Sequence, residues 1–151
     1  MIYEVKLQTI TLKIKEQCKD SSKITCSDKA IPLLKRIYND LDDDQEYFVC
    51  LFLNSQNQIR GYKILFAGGQ NSTCIDLKVL FRNVLLFGAA AVILAHNHPG
   101  NNVEPSADDL KINPQISKIA KLLEISFLDH IIITKTDAFS FADHDLMNKE
   151  A

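Results

Sequence analysis

EYFVCLFL, the octet from Glu46 to Leu53, decides the architecture. Beyond its first residue it has no polar face. A strand bordering water on one side alternates polar and apolar residues; this one is apolar on both. It therefore predicts a buried, central strand in a sheet covered on its two faces. Working outward, Asn54 to Asn57 is polar and predicts a hairpin turn, with Gln58 to Phe66 returning as a second strand. On the other side, Asp42 to Asp44 make an acidic turn. Before it, Ser27 or Asp28 caps a helix running to about Leu41, with Ile31, Leu34, Ile37 and Tyr38 on one stripe.

The rest of the chain supplies partners for that strand. Ala67 to Thr73 reads as a loop, and Ile75 to Phe87 has helical spacing with Gly88 as its stop. Ala89 to Ala95 predicts another short apolar strand, and His96 to Pro105 a polar loop. Ser106 opens a helix that Pro114 is expected to kink or restart, because proline removes a backbone donor. Leu128 to Thr134 is a further strand, Phe139 to Phe141 a last short one, and the tail from Asp143 is polar. Residues 2–15 alternate with a phase slip, as a bulged strand or two short strands would, and 16–27 read as a loop. The expectation is one domain over residues 1–151, with a core at about 27–141 and an N-terminal strand extension at 1–26. Its class is α/β or α+β, a mixed sheet flanked by helices.

Composition narrows the function classes. The 151 residues are 46% hydrophobic and 24% charged, near the globular average. Lys plus Arg is 17 against 19 for Asp plus Glu, a net charge of −2, so no broad basic footprint for DNA or RNA exists. The longest apolar run, Val84 to Ala95, falls short of the roughly 20 residues of a membrane-spanning helix. The first residues lack the apolar block of a signal peptide. Cys18, Cys26, Cys50 and Cys74 form no C-x-x-C pair. They read as reduced thiols of a cytoplasmic protein, with a Cys18–Cys26 disulfide as the alternative.

The chemistry concentrates just past the second apolar strand. His96 and His98 are two residues apart, so in extended chain both imidazoles point to one side and can reach one metal ion. A catalytic zinc uses three protein ligands and leaves a position for water. Asp109, in the first turn of the next helix, can supply the third, since Pro99, Gly100 and Pro105 let the chain double back. Ser106-x-x-Asp109 also has the form of a capping box, and at this level the cap and the ligand compete for the same carboxylate.

His96-Asn-His-Pro99 followed by Pro105-Ser-Ala-Asp-Asp109 resembles the JAMM metal signature of JAB/MPN domains, which share a cytidine-deaminase-like sandwich. With Leu128-Asp-His-Ile-Ile-Ile133 the pattern is similar to the RadC branch, over roughly residues 27–141. The resemblance implies Zn²⁺ held by His96, His98 and Asp109. It implies Glu46 as the general base and Ser106 as a hydrogen-bond donor to a tetrahedral oxyanion. It implies metal-dependent cleavage of amide or isopeptide bonds in a peptide or protein substrate. Two other readings stay open: a non-catalytic interaction module on the same fold, and a DNA-associated accessory protein.

Three departures bear on these expectations. Gly100-Asn101 stands where the family continues with Ser-Gly after the H-N-H-P run. Asp76-Leu-Lys78 stands where a Pro-Arg-Glu triplet is common, which removes a positioning contact. The helix-hairpin-helix segment upstream in longer members has no counterpart in these residues. Among the remaining candidates, His130 reads as a structural histidine that Asp129 could orient, and His144 as a solvated tail residue. Glu104 reads as an exposed loop acid, and Cys50 and Cys74 as buried thiols. No zinc-deaminase signature, Walker A sequence or G-x-G-x-x-G run is present.

Overall fold

The computed structural model describes residues 23–68 and 75–148. Its elements run α1 (Ser27–Asn39), β1 (Glu46–Leu53), β2 (Ile59–Gly68), α2 (Leu77–Phe87), β3 (Ala91–Asn97), α3 (Ala107–Leu122), β4 (Ser126–Ile133) and β5 (Ala138–Ser140). The five strands form one mixed sheet in the order β2-β1-β3-β4-β5, with β3 and β4 parallel and the other pairs antiparallel. The expected class is therefore found. The octet lies inside the sheet, and its last six residues are buried. The exact middle belongs to β3, which is buried from Ala91 to His96.

Alternation along the strands sorts the core into two clusters, one per face. Val49, Leu51 and Leu53 of β1 join Ile93, Ile131 and Ile133 beneath Ala30, Leu34 and Ile37 of α1. Cys50 and Phe52 join Val92 and Leu94 beneath Leu80, Phe81 and Val84 of α2 and Ile116 and Ala120 of α3. The sheet is thus sandwiched between α1 on one side and α2 with α3 on the other. Burying a Leu or Ile side chain stabilises by about 1.5–3 kcal/mol, so both faces supply a large apolar drive.

Several expectations need correction. Neither Ser27 nor Asp28 caps α1: Cys26 holds the N-cap position without a side-chain bond, and the Ser27 hydroxyl donates to Asp143 instead. Helix α3 runs unbroken across Pro114, held to the sheet by Ile116 and Ala120, so packing overrides the lost donor. Strand β3 continues through His96 and Asn97, which the sequence placed in a loop. Pairing with β4 extends to Asn97–Ile133, and the His98 N–H donates to the Ile133 carbonyl at 3.1 Å. Asp76, read as a lost contact, is the N-cap of α2 and accepts from the Lys78 and Val79 N–H groups. Gly88 ends that helix at φ 74°, as expected. The predicted N-terminal strand over 2–15, Cys18 and Cys74 lie outside the described residues.

Candidate metal centre

Sheet register builds the site. In the antiparallel β1–β3 ladder Phe48 pairs with His96, so Glu46, two residues before, projects on the same face towards His98, two residues after. Parallel pairing of β3 with β4 brings His130 opposite Leu94, two pairs away from His96 and on the same face. The connection from β3 to β4 is α3, and its first turn returns Asp109 over the end of β3. The site therefore sits at the carboxyl end of a parallel strand, beside a helix N-terminus, where α/β folds place their ligands.

The side chains converge. The Nε2 atoms of His96 and His98 lie 2.9 Å apart. Asp109 Oδ1 is 3.3 Å from His96 Nε2, and Oδ2 is 3.6 Å from His98 Nε2. Glu46 Oε1 is 3.9 Å from His96 Nε2, and Glu46, His96 and His98 each bring a ligating atom within 4.8 Å of the others. Two imidazoles thus share one space with two carboxylates, either of which can complete a three-ligand set. Ligands bound to one zinc at 2.0–2.1 Å sit about 3.3 Å apart, so the imidazole pair is close to bridging spacing. The mixed nitrogen and oxygen donors suit a divalent ion of the zinc type.

Asp109 forms the cap and still stands beside the imidazoles. The capping box is formed: Ser106 Oγ accepts from the Asp109 N–H at 3.1 Å, and Asp109 Oδ2 accepts from the Ser106 N–H at 2.8 Å. Oδ1 remains free to face the imidazoles. The Ser106 side chain is exposed, and its hydroxyl proton has no acceptor among the described residues.

Electrostatics follow from the crowding. Burial drives the Glu46 carboxyl above the usual range, and Asp109 adds to this, although both imidazoles oppose it. Burial would raise Asp109 too, but the neighbouring imidazoles of His96 and His98 and the Ser106 N–H outweigh it and hold the carboxyl far below the ordinary value. His98 is raised despite burial, because Asp109 and the Asn102 carbonyl favour the protonated ring. Its Nδ1 donates to that carbonyl at 2.6 Å, so in the neutral ring the lone pair lies on Nε2, facing the site. The Gly100-Asn101 departure therefore leaves the loop able to fix the tautomer of His98.

Several contributing residues were not singled out from the sequence. Asn97, between the two histidines, accepts the Tyr47 N–H at 2.7 Å and donates to the Gln45 carbonyl at 2.7 Å, gripping the backbone on both sides of Glu46. The Tyr38 hydroxyl donates to the Tyr47 carbonyl. Asn113 Oδ1 lies 2.6 Å from His130 Nδ1, and His130 Nε2 lies 2.8 Å from His96 Nδ1. Phe48 stacks on His96 and Phe141 on His130. Helical spacing offered one signal: Asn113 is four residues after Asp109 and shares its face. Asp129 does not orient the His130 ring; its carboxylate accepts from the Ser140 hydroxyl and the His130 and Ala142 N–H groups. Glu104 is exposed, as expected; His144 is exposed but stacks on Phe139. A groove of about 410 Å³ opens beside His98, lined in part by Lys35, Tyr38, Asn97 and Lys135.

The family model of the RadC-like JAB domain matches residues 24–146. The chain belongs to this family. The RadC-like domain is 39% identical to the UPF0758 protein YfjY of Escherichia coli, over 69% of the chain and 65% of the relative. It is 36% identical to a UPF0758 protein of Flavobacterium johnsoniae, over 82% of the chain and 53% of the relative. To the UPF0758 protein PM1152 of Pasteurella multocida it is 40% identical, over 69% of the chain and 46% of the relative. The RadC-like domain thus spans about half to two-thirds of these relatives' length. No helix among its described residues is long and apolar enough to cross a membrane.

Proposed function

We propose that the protein is a zinc-dependent hydrolase of the JAMM type that cleaves an amide or isopeptide bond in a peptide or protein substrate. The observation that carries this reading is the convergence of His96, His98, Asp109 and Glu46 at the carboxyl end of β3. His96, His98 and Asp109 hold the ion, and Glu46 stays free of it as the acid–base group. Bound there, zinc supplies Lewis acidity, lowering the pKa of a coordinated water to about 7.

The protein's own groups then divide the remaining tasks. Glu46 takes a proton from the attacking water and returns it to the leaving amine, its carboxylate facing the space that the two imidazoles share. Ser106 has an uncommitted hydroxyl proton on the exposed rim, available to an oxyanion. Asn97 and Tyr38 hold the start of β1, and so the backbone that carries Glu46.

The test has two steps. Purified protein should carry zinc in near-stoichiometric amount, and His98→Ala should lose it. A screen of peptide and lysine-linked isopeptide substrates should give turnover in wild type that Glu46→Gln abolishes. Wild type without zinc under non-chelating conditions defeats the metal reading; equal turnover in wild type and Glu46→Gln defeats the assignment of Glu46.

A further inference from the structure

We propose that Asn113 and His130 form a buried relay that fixes the tautomer of His96, so that His96 turns a lone pair rather than a proton towards the ion. The inference rests on the metal reading above and adds two positioning residues to it. His96, His130 and Asn113 are all fully buried, so the relay is sealed in protein. Among the described residues, the hydrogen-bond partner of His96 Nδ1 is His130 Nε2, at 2.8 Å. That of His130 Nδ1 is Asn113 Oδ1, at 2.6 Å.

Direction follows from the end of the chain. An amide oxygen only accepts, so His130 carries its proton on Nδ1, and in a neutral ring Nε2 is then the acceptor. The proton between the rings belongs to His96 Nδ1, and His96 Nε2 is left unprotonated beside His98 Nε2. A reversed Asn113 amide would invert every step and set an N–H on His96 Nε2, pointed at Asp109, which blocks coordination. The tautomer of the first histidine is thus decided two residues away, in α3.

Two observations support a relay rather than simple packing. Among the described residues Asn113 Nδ2 is buried with no partner, a cost that an apolar residue would avoid and that a site for an oxygen acceptor explains. The rings are also held in plane by stacking, Phe48 on His96 at 4.6 Å and Phe141 on His130 at 4.8 Å, which preserves the alignment of the bonds. Metal-bound histidines commonly donate their second nitrogen to an acceptor that sets tautomer and orientation. Here a second histidine takes that place.

The experiment compares wild type with His130→Leu and His130→Gln. Glutamine carries its oxygen at about the reach of Nε2 and can accept from His96; leucine fills the space without an acceptor. Zinc affinity, measured by competition with a chromophoric chelator, should fall about 10–100-fold in His130→Leu. In His130→Gln it should stay within about threefold of wild type. Nitrogen-15 spectra of metal-free wild type should show His96 protonated on Nδ1, a readout that needs neither metal nor substrate. Dominant protonation of His96 on Nε2 overturns the relay, even if His130→Leu fails to fold. Equal zinc affinity in wild type and folded His130→Leu overturns it too. Wild type that binds no zinc defeats the metal reading instead, while the spectra still decide the tautomer.

Discussion

Ser106 and Asp109 grip each other across the first turn of α3, at 2.8 Å from the Ser106 N–H to Asp109 Oδ2 and 3.1 Å from the Asp109 N–H to Ser106 Oγ. The same carboxylate stands 3.3 Å from His96. Helix start and candidate metal site therefore share one carboxylate, and changes at either residue should register in both.

Asp109→Asn keeps an oxygen for the Ser106 N–H but loses the negative charge. Its stability without metal should drop by about 1 kcal/mol or less, whereas Asp109→Ala, which breaks the box, should lose about 1–2 kcal/mol. Zinc stabilises the fold in proportion to its affinity, so the zinc-induced rise in melting temperature should largely vanish in both variants. Thermal unfolding with and without zinc checks this; an undiminished rise in Asp109→Asn would remove Asp109 from the ligand set.

Asn97→Ala removes two hydrogen bonds to the backbone flanking Glu46 and should cost about 1–3 kcal/mol. Its ligands remain, so zinc stoichiometry should hold while any Glu46-dependent turnover falls. Asn97→Asp keeps the acceptor for Tyr47 and should recover part of the stability. Chemical denaturation with metal analysis decides; loss of zinc together with stability would make Asn97 a general structural residue.

Zinc affinity should weaken as pH falls. His98 holds its proton above the usual imidazole value, through Asp109 and the Asn102 carbonyl acting against burial. Zinc must displace that proton, so below the raised pKa each pH unit should cost about tenfold in affinity. Chelator competition across pH 5.5–8.5 measures the slope, and a flat profile would contradict the coupling.

Fold stability carries a second pH signature. His130 is depressed by burial and by the neighbouring His96, so the folded ring stays neutral where the unfolded one protonates. Its contribution is present above the ordinary value of about 6.5 and is lost as pH falls below it, by at most about 1.4 kcal/mol per unit. His98 runs the other way: its contribution is complete below about 6.5 and fades as pH rises through its raised pKa. The His130 share appears as the difference in acid slope between metal-free wild type and His130→Gln, which should be shallower in the variant.

Gly88 tests the scaffold alone. It closes α2 at φ 74°, with open space where a Cβ would stand, so Gly88→Ala should cost about 1 kcal/mol through backbone strain only. Denaturant midpoints report it, and zinc affinity should not change.

The sequence by itself settled much of this protein. A run apolar on both faces must be covered on both sides, so EYFVCLFL announced a sandwiched sheet, and local chemistry marked the Gly88 stop and the capping box. The H-x-H spacing and the first-turn carboxylate named ligand candidates because such signals lie within a dozen or so residues of each other. Other features had no local signature. Pro114 sits inside α3 because packing on the sheet outweighs one missing donor. β3 runs on through His96 because β4 pairs with it. The grip of Asn97 on β1 and the path from Asn113 through His130 to His96 join residues 17 to 52 positions apart. Only the register of β1, β3 and β4 and the seating of α3 bring them within hydrogen-bond reach. Those choices reflect the burial of the whole core, which no stretch of chain decides alone.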